Sequence, residues 1–69
     1  MEITRENLKE NDVLECIKSD LNTEENWSVT EGNKYTVLYC AEKSFVINTD
    51  SGVEIYIPYW QADGFYKTT

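Results

Sequence analysis

Apolar residues recur with a period of two in several short runs of this chain. In DVLECIK (12–18), Leu14 and Cys16 alternate with Val13, Glu15 and Ile17, the pattern of a half-buried strand. In KYTVLYC (34–40) the same period puts Tyr35, Val37 and Tyr39 on one face, and Thr36, Leu38 and Cys40 on the other. SFVINT (44–49) reads as a third strand, and Asp50-Ser51-Gly52 as a tight hairpin turn. VEIYIP (53–58) reads as a fourth, with Ile55 and Ile57 facing one way and Glu54 and Tyr56 the other. Pro58 has no N–H for a ladder, so it ends that strand or sits on an edge. YWQADG (59–64) predicts one helical or 3₁₀ turn closed by Gly64, and FYKTT (65–69) a short last strand.

Two segments break the alternation. In ITRENLKEND (3–12), Thr4 is placed to cap a single turn anchored by Leu8, and the turn ends near Asn11-Asp12. SDLNTEENWSVTEGN (19–33) scatters Leu21, Trp27 and Val29 among polar residues and four acids, which predicts a long loop closed at Gly32-Asn33. The sum is one all-β domain over residues 1–69 with five short strands. Five strands on so small a core splay apart as a flat sheet, whereas curling into a partly open barrel removes most free edges. The expected core is Leu14, Val37, Leu38, Ile47, Ile55, Ile57 and Phe65.

Asp12, Val13 and Cys16, then Gly32, Tyr35, Thr36 and Val37, then Ile47, Asp50 and Gly52, and finally Tyr56 and Pro58 form an ordered set of positions. From Leu8 onward the chain resembles the small SH3-like barrel proteins of tailed bacteriophages and their prophages. Those proteins carry a GD-V-x-C first strand, a long loop, G-x-x-Y-T-V, a V-x-D-D-G hairpin and a late Y-x-P. The match departs at Asn11, where the family pattern has Gly; Asn also tolerates positive φ. The resemblance implies a five-stranded SH3-like partly open barrel, with a short N-terminal turn and one 3₁₀ turn before the last strand. It also implies a phage origin, and it implies no activity, because function resides in surfaces grafted onto the fold.

Charge adds a second layer. The net charge is −7, and it is uneven: Met1–Glu31 holds nine acids and three bases, Gly32–Thr69 four acids and three bases. An acidic surface repels phosphate backbones and suits a basic protein partner; it also simply keeps a small protein soluble. Cys16 and Cys40 each sit in an apolar run and are too few for a secreted disulfide scaffold. No apolar run reaches the ~18 residues of a membrane span, and Met1–Leu8 lacks a signal-peptide pattern. The expectation is a cytoplasmic protein of a bacterial host cell, monomeric or a small homo-oligomer, without a membrane partner.

Candidate chemistry is sparse. The chain has no histidine, which removes the commonest general base and metal ligand. The two cysteines lack CxxC spacing, three scattered glycines form no phosphate loop, and NTDSG lacks the spaced acids of a calcium loop. The reading is a non-enzymatic protein with no cofactor and no metal.

Surfaces remain. Tyr56, Tyr59, Trp60 and Tyr66 cannot all fit inside so small a barrel, and their polar tips favour the surface. In peptide-binding SH3 domains the corresponding region presents aromatics beside the long first loop, so Trp27 is placed to complete a patch. The candidate partner-binding residues are Trp27, Tyr59, Trp60 and Tyr66, with Glu24 and Glu25 as steering charges. The competing reading has Trp27 and Trp60 capping the open barrel ends, and the acidic loop merely solvated. The function expected is that of a phage accessory protein that binds a host or phage protein and inhibits or redirects it, through counter-defence or acidic mimicry of nucleic acid. The alternatives are a sponge for a nucleotide signal, its bases stacked on the aromatics, and a single-stranded nucleic-acid binder. The latter normally needs a positive groove.

Overall fold

A computed structural model describes residues 3–69; Met1 and Glu2, included in the single-domain reading, lie outside the described residues. Seven strands and one helical turn follow one another: β1 (Val13–Cys16), β2 (Asp20–Asn22), β3 (Trp27–Val29), β4 (Lys34–Cys40), β5 (Ser44–Asn48), β6 (Glu54–Pro58), α1 (Tyr59–Ala62) and β7 (Tyr66–Thr68). The five strands expected from the alternation form one antiparallel sheet in the order β6-β5-β4-β1-β7, curled into a half-barrel. The fold is all-β, with the strand order of an SH3-like barrel.

The curl is centred on β4. Its first half pairs with β1, Val13 opposite Thr36 and Glu15 opposite Lys34. Its second half pairs with β5, and there the register slips by one between Val37 and Tyr39. Leu38 is the extra residue of a bulge, which bends and twists the strand. The bulge also inverts the alternation. Tyr39 was expected beside Tyr35 and Val37; it instead lies opposite Val46, exposed, while Cys40 turns in opposite Phe45.

The inner face holds Leu14, Cys16, Tyr35, Val37, Phe45, Ile47, Ile57, Ala62 and Tyr66, closed at one end by Ile3 and Leu8. Phe45 has no exposed surface. Of the expected core, Leu14, Val37, Ile47 and Ile57 are fully buried, Ile55 and Phe65 pack half-buried against the cluster, and Leu38 is half-buried.

The connections follow local chemistry. Leu8 N–H donates to Thr4 C=O (3.0 Å), and Asn7 N–H reaches the Thr4 hydroxyl (3.3 Å), closing the expected turn. Asn11 adopts φ 71, the left-handed conformation that its short amide tolerates. At the β5–β6 hairpin Gly52 has φ 85, which a β-carbon would strain, and Gly52 N–H donates to Thr49 C=O (3.0 Å). The expected turn before β7 is present, and of the helical and 3₁₀ forms it takes the α-helical one. One expectation is corrected. The 19–33 segment is not an open loop, because Asp20–Asn22 and Trp27–Val29 pair as a β2–β3 hairpin. Its three-residue strands are too short to show a period of two.

Cys16 and Cys40 are free thiols. Cys16 N–H bonds to Asn33 C=O at one end of β4, and Cys40 lies seven residues further along. At ~3.3 Å per residue they are at opposite ends of the barrel and cannot be bridged. No helix among the described residues is long and apolar enough to cross a membrane.

Phe45→Ala should cost about 3–5 kcal/mol in urea unfolding, because it opens a cavity at a fully buried position of the interior strand β5, between Cys40 and Ile57. In a domain this small, that loss should unfold most of the protein at room temperature.

Candidate functional site

The β2–β3 hairpin reaches the core through buried Val29 and half-buried Trp27, and polar bonds fix its base. Ser28 C=O accepts from Asp50 N–H (3.0 Å), and Asn26 C=O accepts from the Ser51 hydroxyl (2.9 Å). The residue just after β3, Thr30, donates its N–H to the Tyr35 hydroxyl (2.8 Å) and its hydroxyl to Asp50 Oδ2 (2.7 Å). The Tyr35 hydroxyl donates in turn to Asp50 Oδ1 (2.6 Å). Asp50 therefore serves as a turn residue and as an anchor between the hairpin and the sheet. The Tyr35 hydroxyl, and after it the Thr30 hydroxyl, hold the Asp50 carboxyl below the usual carboxylate range. Burial, and then the bond to Asp50, push the Tyr35 hydroxyl up.

So anchored, the hairpin faces β6 across a cleft. Trp27 is half-buried against the core, opposite Ile55, Tyr56 and Pro58. Glu25 closes the tip: its N–H bonds to Asn22 Oδ1 (2.9 Å), and its Oε1 accepts from Asn22 Nδ2 (3.2 Å) and Trp27 Nε1 (3.5 Å). Asp20, Glu25 and Glu54 all border the cleft, and Lys18 lies over the Phe65 ring beside it at 5.2 Å. Its most enclosed part, near Phe65 and Tyr66, holds about 110 Å³.

Around the C-terminal end of β6 the cleft continues into an open apolar shelf of Tyr56, Pro58, Tyr59 and Trp60, with Lys43 and Ser44 from the β4–β5 turn. Trp60 is 83% exposed and Tyr56 64% exposed. Trp60 projects because it sits on the outer side of α1, where Ala62 takes the buried position. Tyr59 is half-buried: its ring tilts against Phe45 at 5.5 Å, and its hydroxyl donates to Ala41 C=O (2.9 Å). Burial, and then the Cys40 thiol, raise that hydroxyl to about 12, so it stays a neutral donor. On the outer face Tyr39 and Tyr56 meet edge to face at 6.1 Å, joined through their hydroxyls, over the buried Val46.

The sequence candidates therefore divide. Trp60 and Trp27 border one continuous surface, with Tyr59 as its partly buried wall. Glu24 and Glu25 are exposed at the hairpin tip. Tyr66 is corrected: at 4% exposure it is a core residue, and burial pushes its hydroxyl well up. Its position in β7 opposite Cys16 aims it inward. Tyr56 and Pro58 were missed as site residues. The available signal was their place after Glu54 on the outward-facing half of β6. Among the described residues, no three acids or cysteines converge as a metal site.

Comparison with protein-family models, with characterised proteins and with solved structures returned no match.

The Asp50 anchor gives a pH signature. A carboxyl whose folded pKa lies below its unfolded value contributes stability above the unfolded value, about 3.9, and loses it as pH falls through the folded value. Urea midpoints should therefore fall in acid, and Asp50→Asn should be less stable at neutral pH with a shallower acid decline. Tyr35→Phe should lose about 1–3 kcal/mol at neutral pH, because the Thr30 N–H and Asp50 both lose a partner. Equal acid sensitivity in wild type and Asp50→Asn would assign the decline to other carboxylates.

Proposed function

We propose that this chain is a non-enzymatic accessory protein that binds another protein through the Trp60–Tyr56–Trp27 surface. On the sequence resemblance, it serves a tailed phage or prophage by inhibiting or redirecting a host or phage protein. The observation that carries the reading is the exposure of Trp60 and Tyr56 beside Pro58, continuous with a cleft lined by the carboxylates of Asp20, Glu25 and Glu54. Large rigid aromatics gain most when a partner desolvates them, and they are the commonest anchors of protein interfaces. The acidic border selects a basic partner and speeds its approach.

The same geometry weighs against the two ligand-binding alternatives. A phosphate entering the cleft meets Asp20, Glu25 and Glu54, which outnumber the lysine, Lys18, that lies over Phe65. A single-stranded nucleic acid would find aromatics without a positive groove.

Affinity capture from a bacterial lysate, followed by binding measurements on the recovered protein, tests the reading. Trp60→Ala should weaken binding about 30-fold or more, the loss expected of an interface anchor. It should leave the thermal midpoint nearly unchanged, since exposed side chains contribute little to folding. Binding should also weaken with added salt. Undiminished binding by Trp60→Ala, or tight binding of an oligonucleotide at low salt, would sink the proposal.

A further inference from the structure

β6 is an edge strand: it ends the sheet order, and among the described residues its only ladder is with β5. The hydrogen bonds that flank this ladder reveal which of its backbone groups are free. Thr49 N–H donates to Val53 C=O, and Tyr59 N–H donates to Lys43 C=O. Antiparallel pairs alternate between hydrogen-bonded and non-bonded. Counting inward from both flanks, Ile55 opposite Ile47 and Ile57 opposite Phe45 exchange the bonds. Glu54 opposite Asn48, Tyr56 opposite Val46 and Pro58 opposite Ser44 do not. The N–H groups of Glu54 and Tyr56, and the C=O groups of Glu54, Tyr56 and Pro58, therefore point away from the sheet. Pro58 lacks an N–H at a position where β5 needs none.

This free edge borders the cleft. The β2–β3 hairpin supplies the opposite wall through Trp27, with Glu25 at one end and Asp20 toward the other. We infer that the free edge of β6 is a strand-addition site that takes an extended, basic segment of the partner protein, paired through the backbones of Glu54 and Tyr56. Edge pairing supplies affinity from the main chain, and side chains alternating to either side supply selectivity. One set of the incoming side chains enters the cleft beside Trp27, Asp20 and Glu25. The other set lies on the outer face, along Glu54, Tyr56 and the Trp60 shelf. The occupant is cationic because three carboxylates line the cleft, outnumbering Lys18, which lies over Phe65, and Lys43 on the adjoining shelf. A second copy of this chain, itself net −7, meets repulsion there.

The inference rests on the protein-binding reading and adds the mode of binding. Its test is an NMR titration of the ¹⁵N-labelled full chain with a short synthetic peptide of alternating lysine and valine. The amide signals of Glu54 and Tyr56 should move downfield as they gain acceptors, and those of Ile55 and Ile57 should move less. A glutamate–valine peptide should not bind. A full-length synthetic chain N-methylated at the Tyr56 backbone nitrogen should fold, since that N–H is not used in the sheet. It should bind the lysine–valine peptide about tenfold more weakly. Saturable binding without shifts at Glu54 and Tyr56, equal binding of the acidic peptide, no binding, or unchanged affinity after N-methylation would each overturn the inference. Shifts at these amides that grow with protein concentration alone would give the edge to a second copy and overturn it too. Capture of a partner sensitive to Trp60→Ala but not to N-methylation would defeat strand addition while leaving the protein-binding reading intact.

Discussion

One strand has to belong to two half-sheets. β4 pairs with β1 along its first residues and with β5 along its last, and the bulge at Leu38 lets it turn between them. Without that turn, five short strands have no inside, and Phe45, Val37 and Ile47 would face water from one side. With it, the inner faces of β1, β4, β5 and β6 converge on a single cluster of side chains. The same slip in register sends Tyr39 outward, where it meets Tyr56 and covers Val46. Because the curl stops short of closure, β6 remains an edge. The core, the tyrosine pair on the outer face and the open edge all descend from one extra residue.

The hairpin between β1 and β4 is held on different terms. β2 is polar apart from Leu21, which is largely exposed, and on the apolar side only Val29 and half-buried Trp27 of β3 reach the core. Charge-assisted hydrogen bonds from Tyr35 and Thr30 to Asp50 add to that contact. These bonds secure the base of the hairpin and leave its tip free. The tip is where Glu24 and Glu25 stand, and Trp27 begins the strand that returns from it.

Function follows from what the fold leaves uncovered. A core of aliphatic residues with Phe45 and two tyrosines is already full, so Trp60 and Tyr56 are left outside. Pro58, placed between them, is the N-cap of α1, which carries Trp60 to the rim. Aromatics for contact and carboxylates for attraction then share one side of the molecule. The proposed protein-binding role rests on that combination, which suits a protein surface better than a phosphate.

The strands were legible in the sequence because a half-buried strand writes itself as alternation. Leu14/Cys16, Tyr35/Val37 and Ile55/Ile57 all kept their predicted sides. The turns at Thr4, Asn11 and Gly52 were equally legible, since each depends on the local chemistry of one residue. The exposure of Trp60 was legible as well, as more rings than a small core can hold. The β2–β3 hairpin, the reversal of Tyr39 and the burial of Tyr66 were not. A three-residue strand is too short to show a period, a bulge is a property of the pair rather than of either strand, and a lone tyrosine in a last strand can face either way. Those choices were made only when the sheet curled, because which side of a strand counts as inside is set by the strands it meets.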